Sequence, residues 1–331
     1  MRKKWIRGGI FLCLVLLLLS NLNRILCVKS PHGVDQARYL YVQPKNKIDV
    51  LFLGSSHVHC NVNTQLLWDE YGMAAYLMTG AEQPLWNSYY NLKEALKTQK
   101  PKLVVLDMFC PSRFYDDFQP GWADENLDGM RISLNKLEAV YTSVQEEQSH
   151  FFLGFTEYHS RYDQLTTEDF QNFVWNRKTQ ERWKGYTPLK RHAELTEPDM
   201  SHVTTSQEMT EKSKEYFEKI VELTKKEGIT LALISGPYLL EERDQEVYNS
   251  IGQLAEKDGL LFWNTNTPAH YREMGLDFST DYADHAHLNE AGGAKYTAYL
   301  GKWLSQNYSF PDRRGQKGYE SWENQLMKSG E

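Results

Sequence analysis

The chain has 331 residues, of which 41% are hydrophobic and 24% are charged. This balance is typical of a packed globular protein and excludes a chain that is disordered throughout. The formal net charge is -7 and no long basic stripe is present, so little points to a nucleic acid as partner.

The first segment of the chain has the pattern of a membrane-directing sequence. Basic residues between Arg2 and Arg7 precede an apolar run from Ile10 to Leu19, which continues weakly to Val28. No small-residue cleavage signal follows it, so an uncleaved signal anchor over residues 1–28 is favoured over a cleaved signal peptide. The basic flank predicts a single-pass protein of the cell membrane with a cytoplasmic N-terminus and an extracytoplasmic body.

The body of the chain, residues 40–310, alternates short apolar runs with amphipathic stretches. The runs predict strands over residues 48–53, 74–78, 103–106, 229–234 and 260–263. Helices are predicted over residues 84–97 and 240–257, from Asn289 onward, and after a capping box formed by Thr205 and Glu208. This alternation predicts an α/β protein with a parallel five-stranded sheet between two helical layers. Ligands of such sheets bind at the carboxyl ends of the strands.

Residues 110–204 interrupt the alternation and are rich in aromatic side chains, among them Trp122, Trp175 and Trp183. A stretch of this length predicts a largely helical insertion over the strand ends. It is either a satellite core or a lid whose aromatic faces stack on sugar rings. Residues 311–331 form a polar tail that is expected to be poorly ordered.

A serine stands at the end of the first predicted strand, in the run Gly54-Ser55-Ser56-His57. A strand that turns directly into a helix exposes a hydroxyl and aims backbone N–H groups at it, as a nucleophile and its oxyanion require. By itself the run is equally typical of a turn with a helix N-cap.

An acid and a base stand just before the last predicted helix, in the run Asp284-His285-Ala286-His287. Asp284 and His287 are three residues apart, close enough for the carboxylate to orient the imidazole that takes a serine proton. The alternative is a turn-forming Asp followed by a His at a helix N-terminus.

Together the two runs resemble the SGNH/GDSL hydrolase family, whose fold is flavodoxin-like. The resemblance implies that Ser56 is the nucleophile, His287 the general base and Asp284 its orienting acid. Ser55 stands where the family has Asp, as in membrane-anchored relatives such as the D-alanyl transfer protein of teichoic acids and the alginate acetylation proteins. This variation leaves Ser55 as an alternative nucleophile.

The resemblance also implies an oxyanion hole, for which Gly80 matches the family's glycine. The family's next block, Gly-x-Asn-Asp, is replaced here by residues 107–110, Asp-Met-Phe-Cys, so the side-chain donor is missing from its usual place. Gln83 or Asn87 can replace it, or both are ordinary polar residues at a helix start. Loss of one donor costs roughly 2.7–4 kcal/mol of transition-state stabilisation.

The implied function is a serine-dependent acyl ester hydrolase or O-acetyltransferase without a cofactor. It acts on a cell-surface polysaccharide or another envelope polymer, with a membrane-bound acyltransferase as a candidate partner. One alternative is a non-catalytic polysaccharide-binding component of an envelope assembly machine. A second is a zinc hydrolase, because His57, His59, His285 and His287 form two His-x-His motifs on loops predicted to meet. His57 can otherwise cap the helix or line the site.

Overall fold

The computed structural model describes residues 2–26, 33–114, 116–152, 158–171 and 183–323. Parts of three predicted segments lie outside these residues: the ends of the anchor, part of the insertion including Trp175, and residues 324–331 of the tail.

The strands are β1 Val50–Gly54, β2 Ala75–Thr79, β3 Leu103–Asp107, β4 Thr230–Ser235 and β5 Leu261–Asn264. The first α-helices are α1 Arg2–Leu26, α2 Val34–Leu40, α3 Ser56–Asn61, α4 Thr64–Tyr71, α5 Leu85–Ala95, α6 Phe109–Arg113 and α7 Ala123–Leu127. They are followed by α8 Leu134–Ser143, α9 Thr167–Gln171, α10 Glu211–Glu227, α11 Glu242–Asp258, α12 Pro268–Met274, α13 Glu290–Asn307 and α14 Glu320–Glu323.

All five strands are parallel and lie in the order β2-β1-β3-β4-β5. This is the flavodoxin-like order, in which the chain changes direction between β1 and β3 and leaves a crevice at the strand ends. Side chains of alternate strand residues point to opposite faces of the sheet. Leu51 and Leu53 join one buried cluster with α5, α10 and α11, whereas Val50 and Phe52 join another with α4 and α13. The predicted three-layer α/β fold is therefore confirmed.

Each predicted strand is found within two residues of its expected bounds, but the predicted capping box is wrong. Helix α10 begins at Glu211, after an N-cap at Thr210 whose hydroxyl accepts the N–H of Ser213 at 3.2 Å. Thr205 instead donates to the Glu246 carboxylate of α11 at 2.6 Å. Together with the hydrogen bond from the N–H of Gln207 to the carbonyl of Glu246, this contact holds residues 205–207 beside α11.

The tail also differs from expectation, since residues 311–323 pack on the sheet edge. Trp322 is fully buried beside Trp68, and its indole N–H donates to the carbonyl of Ala75 at 3.1 Å. Arg313 binds both oxygens of Asp49 at 2.7 and 2.9 Å. Burial of one large indole and a bidentate ion pair order a segment whose composition alone is polar.

The insertion contributes to the core and also covers the outer strand β2. Phe151 and Tyr186 are buried in the two clusters, whereas Trp122 remains partly exposed. The carbonyl of Lys184 accepts the N–H of Leu77 in β2 at 2.9 Å. Part of the insertion is thus a packing element that supports the sheet.

Helix α1 contains a window from Lys3 to Asn23 that is long and apolar enough to cross a membrane. None of this window is buried against the protein. The helix has the properties of a membrane anchor or of a signal sequence.

Candidate active site

Ser56 is the first residue of α3, and a single residue, Ser55, separates it from Gly54 at the end of β1. Ser55 forms the N-cap, and its hydroxyl accepts the N–H of His57 at 3.2 Å. Ser55 is fully buried, whereas Ser56 is partly exposed. The turn therefore uses one serine to start the helix and presents the other at the strand ends.

The structure brings the three predicted catalytic residues into one hydrogen-bonded row. The Oγ of Ser56 lies 2.8 Å from Nε2 of His287, and Nδ1 of His287 lies 2.8 Å from Oδ1 of Asp284. The same carboxylate oxygen accepts the N–H groups of Ala286 at 2.9 Å and of His287 at 3.0 Å. The Asp284 carboxylate thus binds both the backbone of the short loop before α13 and the ring of His287, and so fixes the orientation of this imidazole.

The Asp284 carboxylate is held in its ionised form. Partial burial raises the pKa of Asp284, but the hydrogen bond and charge of His287, the N–H of Ala286 and the guanidinium of Arg191 together hold it well below its usual range. An ionised carboxylate can only accept, so Nδ1 of a neutral His287 carries the proton and Nε2 is left to accept from Ser56. This arrangement matches a general base poised beside its nucleophile.

Arg191 is a member of the site that sequence reasoning missed. Its guanidinium binds Oδ2 of Asp284, the oxygen that His287 does not use. Two backbone hydrogen bonds, from Ala193 N–H to Tyr282 and from Glu290 N–H to Leu189, hold its segment against the loop. Nothing in the sequence pattern marks an arginine 93 residues before its partner, and only the fold brings them together.

Replacement of Arg191 by alanine is expected to lower kcat/KM about fivefold, because an exposed ion pair contributes up to roughly 1 kcal/mol. The Arg191 side chain is 62% exposed, so salt should screen the contact. The measurement is ester hydrolysis at low salt and in 1 M NaCl, with Lys190→Ala as matched control. A defect that is equal at both salt concentrations contradicts this electrostatic role.

Gly80 lies at the end of β2, beside the serine turn. Its N–H donates to the carbonyl of Gly54 at 3.3 Å. An added Cβ at Gly80 would overlap the side chain of Asn126 in α7, so this position is closely covered. The N–H can therefore reach an oxyanion only by sharing or giving up its bond to Gly54.

The two amides predicted as replacement oxyanion donors both take part in packing. Gln83 donates to the hydroxyl of Ser88 at 3.0 Å and accepts from Asn91 at 2.8 Å. Asn87 accepts the hydroxyl of Ser143 in α8 at 2.6 Å. These contacts fix α5 to its neighbours and do not link either amide to Ser56.

Asp107, the last residue of β3, contacts the residues on both sides of Ser56. Its Oδ2 accepts from the Ser55 hydroxyl at 3.4 Å, and its Oδ1 lies 3.8 Å from Nδ1 of His57. The His57 ring also stacks on Phe109, with ring centroids 4.4 Å apart. His57 is thus a buried neighbour of Ser56, and one carboxylate lies against both residues that flank Ser56.

Gly54 is required for the approach of Asp107 to the turn. It has φ +152°, and an added Cβ would lie 2.6 Å from Cβ of Asp107. We expect Gly54→Ala to lower the free energy of unfolding by about 1–3 kcal/mol, since neither strand can move freely. Denaturant unfolding measures this, with Gly252→Ala as control, because a Cβ there meets nothing closer than 4.0 Å. Equal stability of the two variants contradicts the expectation.

The four histidines of the zinc alternative do not converge. Among the residues that the structure describes, no group of three or more His, Cys, Asp and Glu side chains is placed to hold a metal ion. His59 is buried and bonds the Thr79 hydroxyl at 3.2 Å, and His285 is exposed. His57 and His287 have the partners given above.

Two cysteines lie near the site as buried free thiols, Cys60 and Cys110. Burial, reinforced by the Asp284 carboxylate, raises the pKa of Cys60 to about 12. Burial likewise raises the pKa of Cys110 well above its ordinary value. Burial thus favours the protonated form of both thiols at neutral pH, and the thiolate is the form of cysteine that acts as a nucleophile.

Comparisons with known proteins add little to this geometry. No protein-family model and no curated protein matches the sequence. Among solved structures, the chain is similar to a Bacteroides fragilis protein described as a proposed acylhydrolase, with a TM-score of 0.42 and 12% identity. The likeness covers 85% of this chain and 99% of that one. At this level it carries no argument about activity, which therefore rests on the site itself.

Proposed function

We propose that the chain is a serine-dependent acyl ester hydrolase or O-acyltransferase of the SGNH/GDSL type. The observation that supports it most is the unbroken row from the Ser56 hydroxyl through His287 to Asp284, with 2.8 Å at each step. The row stands at the carboxyl end of a parallel sheet, where such folds bind ligands. It has the order of groups that activates a serine toward a carbonyl carbon.

In the proposed first half-reaction, Oγ of Ser56 attacks the ester carbonyl while Nε2 of His287 accepts the hydroxyl proton. The tetrahedral adduct collapses, the C–O bond to the leaving alcohol breaks, and the imidazolium returns its proton to that alcohol. The product is an acyl ester on Ser56. In the second half-reaction, His287 deprotonates water or a sugar hydroxyl, which attacks the acyl carbon. The bond from that carbon to Oγ breaks, the acid or the new ester leaves, and the imidazolium returns its proton to Ser56.

The developing oxyanion is assigned to two backbone donors. The N–H of Ser56 is at the first position of α3, where helix N–H groups lack intrahelical partners. The N–H of Gly80 is the second, provided that it shares its 3.3 Å bond to Gly54. The NH2 group of Gln83 donates to Ser88, and no contact links the amide of Asn87 to Ser56, so we expect a slower reaction than that of an enzyme with a side-chain donor.

We assign the reaction to the outer face of the cell membrane, with α1 as an uncleaved single-pass anchor. An acetyl ester on a surface polysaccharide or related envelope polymer is the proposed substrate, by resemblance to anchored members of the family. For the transferase alternative, a membrane-bound acyltransferase is the proposed partner, because an acyl group that is added outside the cell must be supplied across the membrane.

A second candidate function is a catalytically idle, polysaccharide-binding subunit of an assembly machine. The observation that favours it is that the NH2 group of Gln83 donates to Ser88 and the Asn87 oxygen accepts from Ser143, so that neither contact links a side-chain donor to Ser56. Such a protein would retain the fold and the aromatic surfaces without forming an acyl-enzyme.

A fluorophosphonate probe separates the two functions. We expect covalent labelling of the wild-type chain between pH 6 and 9, retained in Ser55→Ala and lost in Ser56→Ala. The first variant removes the buried serine and the second the partly exposed one, so the pair is matched. No labelling of wild type at any of these pH values supports the idle subunit. Mass spectrometry of the acyl-enzyme, with and without a sugar acceptor, then separates esterase from transferase.

A further inference from the structure

The outer end of α1 is tied to the insertion by a specific hydrogen bond. The guanidinium of Arg161 donates to the carbonyl of Leu26, the last residue of α1. The same guanidinium lies 3.4 Å from the Asp169 carboxylate. Both the 3₁₀ turn His159–Asp163 and helix α9 contact α1. We call residues 158–171 the collar, because they lie beside the end of this helix.

The length of α1 sets the height of the collar relative to a bilayer. The candidate span Lys3–Asn23 has 21 residues, which is about 32 Å of helix and matches a hydrocarbon core of about 30 Å, with the basic side chains of its first two turns reaching back to the headgroups. Leu26 is three residues further, about 4.5 Å beyond this candidate span. Each headgroup layer is about 5–7 Å thick. With α1 across a bilayer, Arg161 and Leu26 therefore meet inside the headgroup layer.

The collar carries exposed aromatic side chains at this height. Tyr162 is 73% exposed and Phe170 is 55% exposed, on the two elements that contact α1. Aromatic rings with an apolar body are enriched where a membrane meets water, and arginine tolerates the same layer. In water these rings remain solvated, whereas at the interface their apolar surface is removed from water.

We propose that the collar is a membrane-binding surface seated in the headgroup layer of the bilayer that α1 crosses. The lipid surface is the partner, and Tyr162 and Phe170 enter it beside the helix. This contact goes beyond a flexible tether, because it fixes the orientation of the sheet. The Tyr158 hydroxyl donates to Asp128 at 2.9 Å, and Asn126 of the adjoining α7 covers Gly80, so the collar is connected to the active-site edge.

The test is quenching of tryptophan emission by brominated acyl chains in the full-length chain, reconstituted in phosphatidylcholine vesicles. Tyr162→Trp places an indole in the collar, and Tyr141→Trp places one on α8, where the native side chain is 59% exposed. The wild-type emission is subtracted, and flotation with the vesicles after an alkaline carbonate wash confirms that α1 is inserted in all three proteins.

We expect the emission added by Tyr162→Trp to be quenched at least threefold more strongly than that added by Tyr141→Trp. Equal quenching of the two added indoles, whether strong or absent, overturns the proposal. The readout is independent of catalysis, so an inactive protein tests the surface equally well.

Discussion

The substitution Ser56→Ala is expected to lower the rate of ester hydrolysis by at least about 10⁴-fold, the scale on which serine hydrolases lose activity without a catalytic group. The physical reason is that the hydroxyl 2.8 Å from Nε2 of His287 is the proposed attacking group. The measurement is single-turnover and steady-state hydrolysis of an activated acetyl ester. The fold should persist, because the hydroxyl of Ser55, not that of Ser56, caps α3.

Ser55→Ala is the control for this experiment, with the opposite pattern of effects. It removes the N-cap and the contact to Asp107, so we expect a loss of about 0.5–2 kcal/mol in stability with activity within tenfold of wild type. If Ser55→Ala abolishes hydrolysis and Ser56→Ala does not, the nucleophile has been assigned to the wrong serine.

Asp284→Asn is expected to reduce kcat by up to about 10⁴-fold with a smaller change in KM. The amide can place an N–H group toward Nδ1 of His287, which then holds the imidazole with its proton on Nε2. That tautomer cannot accept the proton of Ser56. Steady-state kinetics at pH 7 measure the effect, and Asp281→Asn, in the same loop, serves as the control for general damage. A variant with wild-type kcat contradicts the orienting role.

Asp284 also predicts a stability difference that depends on pH. Its pKa in the folded chain is lowered, so its ionised form stabilises the fold above the unfolded pKa of about 3.9, and this stabilisation is lost as the pH falls toward the folded pKa. Asp284→Asn should therefore unfold more easily than wild type at pH 7, with a smaller difference near pH 3. Denaturant midpoints at the two pH values test this expectation.

Local patterns in the sequence are sufficient for the sheet and for the pairing of Asp284 with His287. Each strand is a short apolar run between turn residues, a signal contained within six residues of chain. Asp284 and His287 are only three residues apart, so their pairing needs little help from the fold. The meeting of Ser56 with His287, 231 residues later, was implied only by the resemblance to the SGNH/GDSL family, because His287 lies well beyond the end of β5 and no strand delivers it directly to the site.

The features that sequence reasoning missed depend on contacts between distant residues. Arg191 reaches Asp284 only because an irregular segment is pinned beside the catalytic loop. In the sequence Asp107 is only the last residue of a predicted strand. Its approach to the serine turn depends on the absence of a side chain at Gly54. Thr205 has the right spacing for a capping box, but its hydroxyl is taken by Glu246 of another helix. Each outcome was decided by tertiary packing.

The covering of β2 has a consequence for how the chain acquires its structure. The carbonyl of Ala75 is hydrogen-bonded only when the indole of Trp322, 247 residues later, has packed against it. The N–H of Leu77 likewise depends on the carbonyl of Lys184. Closing such long loops is slow, and an unsealed outer strand is a template for pairing with another chain. A nascent or partly refolded chain therefore passes through an aggregation-prone state in which the edge of β2 is exposed. We expect the yield of native protein on refolding to rise when the protein is diluted or a holdase chaperone is added.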